Sequence, residues 1–290
     1  ALVTFCGQGG VSEGIRQGGG SSHGQDLHLQ PAYVARFGGS TFTQGDSTGA
    51  TGVADLRKRS RAFVTMASPP CKPYSGARMR GAPKEEPMIS QTRDVLRQAG
   101  GLYAIENVVG AKADLRAGAC QLRGSMFGLH VDRPRLFETN FELRVDEALA
   151  APGRSLRCGC CMGFRRRVAR LDPFGRPELR DCCSGTLWAP QGDKPFRCTA
   201  QECSLAMGMD VDHMSYAGLA QAIPPVYSRY IFGQACMREV ERRFGIEAIT
   251  YDQMLADPAR AERLMAHWLR GAGGASPDQG VEFVGPAAGQ

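Results

Sequence analysis

The amino-terminal part of the chain alternates short apolar runs with polar or helical stretches, and each run stops at a cluster of small or turn-forming residues. A parallel sheet with helices packed on it satisfies that rhythm. Ala1-Leu-Val-Thr-Phe5 reads as a strand, followed by a glycine-rich turn and a helix beginning near Ser12. Ala62 to Ala67 reads as a second clear strand, stopped by Pro69-Pro70. Ser90 to Ala99 reads as a helix, capped by Ser90 and ended by Gly100-Gly101. Leu102 to Ile105 then forms a strand that ends at Glu106. From about Gly153 to Glu202 the apolar periodicity vanishes and Cys, Arg, Pro and Gly dominate, as in an inserted, loop-rich subdomain. A helix follows Pro224-Pro225, with Val226, Tyr230, Ile231 and Met237 expected on its core face. Asp257-Pro258 reads as another helix start and Gly271 as its stop.

With 290 residues the chain can bury a full core, and its 42% hydrophobic and 22% charged composition is that of an ordinary globular protein. No apolar run approaches a membrane span and no signal peptide is evident, although the chain opens at Ala1 as if residues precede it. Eleven cysteines lack the even framework of a small secreted domain, so a reducing cytoplasm is the expected setting. A net charge of +6 suits a polyanion partner but favours it only slightly.

Three short patterns carry chemistry. Phe5-Cys-Gly-Gln-Gly-Gly10 would let the backbone approach a cofactor beside a helix N-terminus, though such turns also serve plain packing. Asp26 and Asp46, each expected at a strand end, could bind ribose or base atoms, or be solvated turn residues. In Ser68-Pro-Pro-Cys71 two prolines hold a thiol rigidly at a strand's carboxyl end, where open α/β sheets bind ligands. A thiolate there could add to C6 of a cytosine and make C5 able to accept a methyl group, while a buried structural thiol would leave the same pattern. Glu106-Asn107-Val108 puts a carboxyl group at another strand end, fit to protonate a ring nitrogen or to cap a loop.

These patterns occur in order with Arg133-Pro-Arg135 and Gln221-Ala-Ile-Pro-Pro225, and together they resemble the conserved blocks of the DNA cytosine-5 methyltransferases. Gly124-Ser-Met-Phe-Gly128 and Arg135-Leu-Phe-Glu-Thr139 look especially like compact bacteriophage and bacterial members. The resemblance spans roughly Ala1 to Gln234. It implies a Rossmann-like α/β fold that binds S-adenosyl-L-methionine and methylates a cytosine flipped out of double-stranded DNA. Phe5, Gly7, Gln8, Gly9 and Gly10 would wrap the methionine and ribose part of the cofactor, Asp26 would hold the ribose and Asp46 the adenine amino group. Pro69 and Cys71 would form the catalytic corner, with Glu106 opposite the base and Arg133 and Arg135 near the base carbonyl and the Glu. Ser75 to Met88, with Arg78 and Arg80, would close as a lid.

The implied layout is a cofactor-binding and catalytic domain over 1–140, a small target-recognition insert over 141–219, a return to the catalytic domain over 220–271 and a flexible tail over 272–290. The insert carries Cys158, Cys160, Cys161, Cys182, Cys183, Cys198 and Cys203 around Arg165-Arg-Arg167. A structural Zn²⁺ held by Cys158, Cys161, Cys182 and Cys183 is one reading, packed free thiols the other. The three Arg would meet phosphate or guanine edges, or form a solvated basic turn. Arg57-Lys-Arg59 with Arg61 is expected to be a solvated face, and His130 and His213 to be structural.

Several positions depart from the family. Gly20-Ser-Ser-His-Gly-Gln25 leaves the second strand looking eroded, Lys72 replaces a usual Gln, Tyr74 a common Phe and Val131 another Gln. Gln221 replaces the usual Asn on the cofactor side. Two rivals follow: the related tRNA cytosine-5 methyltransferases, whose recognition-segment Cys-Phe-Thr is absent here, and a catalytically impaired homologue that only binds DNA. A monomer, in a restriction-modification or bacteriophage setting, is the expectation for the DNA enzyme.

Overall fold

A computed structural model describes residues 1–74, 86–127, 129, 133–145, 170–171, 177–178, 204, 207–209 and 214–245. Two compact units divide the chain, Ala1–Ala235 and Cys236–Gln290. In the first, strands β1 (Leu2–Thr4), β2 (His23–Asp26), β3 (Phe42–Gln44), β4 (Val64–Ala67), β5 (Leu102–Val108), β6 (Cys120–Leu122) and β7 (Arg135–Thr139) form one seven-stranded sheet in the order β3-β2-β1-β4-β5-β7-β6. The pairings from β3 to β5 are all parallel, and β7 runs antiparallel to both β5 and β6. Strand order reverses between β1 and β4, which opens a crevice outside their carboxyl ends. This is the Rossmann-like α/β architecture expected from the sequence.

Helices cover both faces. The core on one face joins Leu2, Ala67, Tyr103 and Ile105 of the sheet to Val53 and Leu56 of α3 (Ala50–Arg59) and to Ile89, Val95 and Leu96 of α4 (Ile89–Ala99). The other face takes α1 (Gly10–Gln17), α2 (Pro31–Phe37) and the first half of α6 (Pro225–Phe244), which follows the short α5 (Tyr216–Gln221). Helix α1 crosses the start of α6 so closely that a Cβ on Gly14 would strike the Pro225 carbonyl and the Ser228 hydroxyl. Within α1, Glu13 is fully buried and is met by Arg16 at 2.7 Å and by Arg36 of α2 at 3.0 Å. In the second unit the described residues Cys236–Gly245 finish α6, where Glu239 pairs with Arg242 and Arg243.

The second strand forms despite its polar sequence, which corrects the expectation that it is eroded. Its apolar bulk comes from α2 instead. Tyr33 is fully buried and its ring lies against Gly24, where a Cβ would stand 2.6 Å from Cζ. Tyr33 and Ser12 share a hydrogen bond at 3.1 Å, and the imidazole of His23 meets the Thr43 hydroxyl at 2.8 Å. Backbone pairing on both edges supplies the rest.

Four further expectations are corrected. Ser90 lies inside α4 rather than at its cap, which is Met88 without a side-chain bond. Strand β5 continues through Glu106 to Val108, because β7 supplies an antiparallel partner as far as that residue. On α6 it is Tyr227, Ile231, Phe232 and Ala235 that are buried, while Val226 and Tyr230 are only partly so. Arg57 is not simply solvated: it donates to the Ala99 and Ala62 carbonyls at 3.2 and 3.3 Å, closing the end of α4. Asp257-Pro258, Gly271, the tail, His130, His213 and most of the insert lie outside the described residues. Within 141–219 a small antiparallel ribbon pairs β8 (Arg170–Leu171) with β9 (Pro177–Glu178). Among the described residues no helix is long and apolar enough to cross a membrane.

Glu138 on β7 is 2% exposed and takes a bidentate pair of 2.7 Å bonds from Arg93 of α4, with the Arg116 amide adding a third at 2.9 Å. Burial would raise its pKa, but Arg93 and that amide hold it below the usual carboxylate value. Glu138→Gln is expected to cost about 3 kcal/mol at neutral pH, the lower end for breaking a buried ion pair. Since the folded-state pKa is depressed, this stabilisation is complete above pH about 4.5 and fades as pH falls through the folded value. Urea denaturation of both proteins at pH 7 and pH 3 checks this, the gap narrowing at pH 3.

Candidate active site

The crevice at the switch point is walled by two turns. After β1 the chain enters left-handed backbone at Phe5, φ 54°, and again at Gly7 and Gly9 before α1 begins. The Cys6 amide donates to the Gln25 carbonyl at 3.1 Å, and the Gly7 amide to Asp26 Oδ2 at 2.9 Å. Nothing lies within 4 Å of where a Gly7 side chain would point, so the backbone at Gly7 faces open space. Gly9 and Gly10 are glycines for packing, since a Cβ would press Phe37 in the first case and Ala222 in the second. Gln8 is held by Ser215. Its amide nitrogen donates to the Ser215 hydroxyl at 3.0 Å and its oxygen accepts from the Ser215 amide at 3.1 Å, tying the turn to the start of α5.

Asp26 ends β2 as expected, one oxygen on Gly7 and the other accepting from the His28 amide at 3.1 Å. Asp46 lies just past β3 and folds onto Thr48, accepting from its amide at 2.8 Å and its hydroxyl at 2.6 Å, which lowers its pKa. Both acids therefore stand at the carboxyl edge with Phe5–Gly10. Gln221 is the exposed last residue of α5.

The second turn, Ser68-Pro-Pro-Cys71, leaves β4. The Ser68 amide reaches the Thr4 carbonyl at 3.4 Å, and the buried Asn107 side chain donates to the Pro69 carbonyl at 3.0 Å. A short 3-10 turn, Lys72–Tyr74, follows, its Tyr74 amide on the Cys71 carbonyl at 3.0 Å. Tyr74 packs so tightly on Gly110 that no Cβ fits there, and its hydroxyl donates to Asp114 at 2.6 Å. Arg93 donates to the Asp114 carbonyl at 2.6 Å, so the turn is anchored to the Glu138 cluster.

Cys71 emerges exposed, beside Glu106. Glu106 is diagonal to Arg135 across the β5–β7 pair, on one face of the sheet, and Arg135 Nε lies 3.0 Å from its Oε1. Desolvation raises the Glu106 pKa, and Arg135, a hydrogen bond with Ser68 and Arg133 only partly offset it. Desolvation also pushes the Cys71 thiol up, Glu106 adds to that, and Arg135 and Arg133 oppose it. Arg133 is 7% exposed, and burial and neighbouring Arg135 pull its pKa down, yet a guanidinium remains charged at neutral pH. Its backbone is strained, with φ 26° immediately before Pro134, a conformation costing on the order of 1–3 kcal/mol. Cys71, Glu106, Arg133 and Arg135 are thus brought into one electrostatic unit beside the Phe5–Gly10 turn.

Three residues of this site escaped the sequence reading. Ser68 and Asn107 sit within the quoted motifs, so their positions were legible but not their bonds. Tyr227, whose hydroxyl donates to the Arg133 carbonyl at 3.0 Å, carries no local signal. The lid residues 75–85, with Arg78 and Arg80, lie outside the described residues, as do Cys158, Cys161, Cys182 and Cys183. Among the described residues no group of His, Cys, Asp and Glu is placed to hold a metal.

No family model and no curated protein sequence matches the chain. Solved structures do match it in fold. The S. pombe Dnmt2 methyltransferase superposes with a TM-score of 0.51 at 12% identity, over 82% of this chain and 98% of the other. A mutant of Spodoptera frugiperda DNMT2 gives 0.50 at 13% over 81% and 98%, and the Entamoeba histolytica methyltransferase EhMeth 0.50 at 14% over 82% and 98%. The chain therefore shares their fold along nearly their whole length.

Alkylation of Cys71 by iodoacetamide, followed residue by residue with mass spectrometry, is expected to rise with pH through a midpoint above the ordinary thiol value of about 8.5. Glu106→Gln should lower that midpoint and Arg135→Ala should raise it. A wild-type midpoint well below 8.5 would mean that the corner already stabilises the thiolate.

Proposed function

We propose that the chain is an S-adenosylmethionine-dependent cytosine-5 methyltransferase acting on DNA, with Cys71 as its nucleophile. The observation that carries this reading is the joint placement of an exposed thiol, a poorly solvated carboxyl group of raised pKa and its Arg135 partner at the sheet's switch point. The fold shared with proteins named methyltransferases supports it. So does the series of sequence blocks, and the absence of the tRNA branch's recognition-segment Cys-Phe-Thr favours DNA over tRNA. The repaired second strand removes the main argument for a homologue that only binds.

The residues present fit the cofactor. Open space at Gly7, the left-handed turn from Phe5 to Gly9 and the carboxylates of Asp26 and Asp46 would hold a nucleoside joined to an amino acid. When bound, S-adenosylmethionine supplies an electrophilic methyl group on a sulfonium. The protein's part is to make C5 of cytosine nucleophilic. The Cys71 thiolate adds to C6 while the Glu106 carboxyl protonates N3, so the electron pair of the C5–C6 double bond becomes available at C5. After C5 is methylated, loss of its hydrogen as a proton to solvent expels the thiolate, and N3 returns its proton. A raised Glu106 pKa favours the protonated donor, and Arg135 keeps that carboxyl aimed. Arg133 and Arg135 favour the thiolate that addition requires. The base must leave the duplex to reach this corner.

Duplex DNA of mixed sequence containing 5-fluorocytosine, with S-adenosylmethionine, tests the reading. Fluorine at C5 blocks the final elimination, so a stable protein–DNA adduct is expected that Cys71→Ala abolishes and that needs the cofactor. An adduct with tRNA alone would move the substrate to RNA. Folded protein giving no adduct with either would rule out this chemistry.

A further inference from the structure

Arg133 should not hold the backbone it has. A residue before proline is pushed toward extended φ near −120°, and a non-glycine residue rarely accepts a positive φ, yet Arg133 has φ 26° and precedes Pro134. It is also buried, so solvent cannot stabilise its carbonyl. The group that meets that carbonyl comes from the far end of the unit: Tyr227, two residues into α6, donates its hydroxyl to it at 3.0 Å in a buried bond. The Tyr227 ring is fully buried and held on two sides. Phe137 of β7 stands edge-on to it at 6.1 Å, and Phe127 lies at 5.6 Å. Phe137 is the residue opposite Glu106 in the β5–β7 register, on the same face as Arg135.

We propose that Tyr227 is a positioning residue: by gripping the Arg133 carbonyl it holds the strained Arg133-Pro134 turn, so that β7 begins with Arg135 against Glu106. A phenol fits this role because the spot is apolar enough to require a ring and yet contains a carbonyl that needs a donor. Phenylalanine would fill the space and remove that donor. The catalytic half of the inference rests on the methyltransferase reading; the positioning half does not.

Tyr227→Phe tests both halves. In methyl transfer it is expected to lower kcat by roughly tenfold with KM little changed, the effect of a small misplacement of reacting groups. In the iodoacetamide assay the Cys71 midpoint should rise, because Arg133 and Arg135 no longer oppose it fully. Half a pH unit would slow alkylation at pH 8 by roughly threefold. This arm needs no substrate: if wild type methylates nothing but the variant still shifts the midpoint, the positioning role stands and the methyltransferase reading fails. Tyr230→Phe is the control, since it removes a hydroxyl bond from the same helix to the Arg144 carbonyl, away from the Arg pair. An unshifted midpoint in Tyr227→Phe, or an equal shift in Tyr230→Phe, overturns the proposal. Should Tyr227→Phe not fold, Phe127→Leu loosens the same ring and should give a smaller shift of the same sign; no shift there overturns the proposal too.

Discussion

Glu106 sits where its charge is poorly solvated, and the site is organised around that fact. A carboxylate in such a place either takes a proton or finds a cation. Arg135 is that cation, and it can reach Glu106 only because β7 runs against the direction of the other strands. An antiparallel strand begins at the edge where its parallel neighbours end, so its first residue arrives beside the carboxyl end of β5. A parallel strand in the same place would have begun at the opposite edge. The reversal therefore brings Arg133 and Arg135 to the crevice that the parallel strands create.

The thiol and the carboxyl group are coupled in charge. Each ionised form disfavours the other, and the two arginines favour both. Loss of a proton from Glu106 therefore adds to the repulsion on a Cys71 thiolate, and protonation of Glu106 relieves it.

Rigidity at the corner comes from bonds that cross long stretches of chain. Glu138 fixes Arg93, Arg93 fixes the loop holding Asp114, and Asp114 takes the Tyr74 hydroxyl in the turn after Cys71. Asn107 fixes the other side of the corner through Pro69. At the turn after β1, Gln8 is joined to Ser215, so two distant stretches of the unit meet there. Short, well-aligned bonds of this kind limit drift of reacting groups, which matters more for rate than for stability.

The parallel α/β frame, the glycine turn, the Pro-Pro-Cys corner and the Glu106 strand were legible from local pattern, because strand periodicity and turn chemistry are properties of neighbouring residues. Legibility failed where a residue's partner is distant in sequence. His23 to Asp26 look unfit for a strand until Tyr33 is seen to fill the space above Gly24. Arg57 looks like one of a basic run until the end of α4 accepts its bonds. Tyr227 looks like any helix aromatic until Arg133 is found beneath it. Composition and spacing thus determined which groups the chain could bring to chemistry. Tertiary structure decided how those groups are charged and aimed, because burial and long-range bonds exist only once the sheet has closed around them.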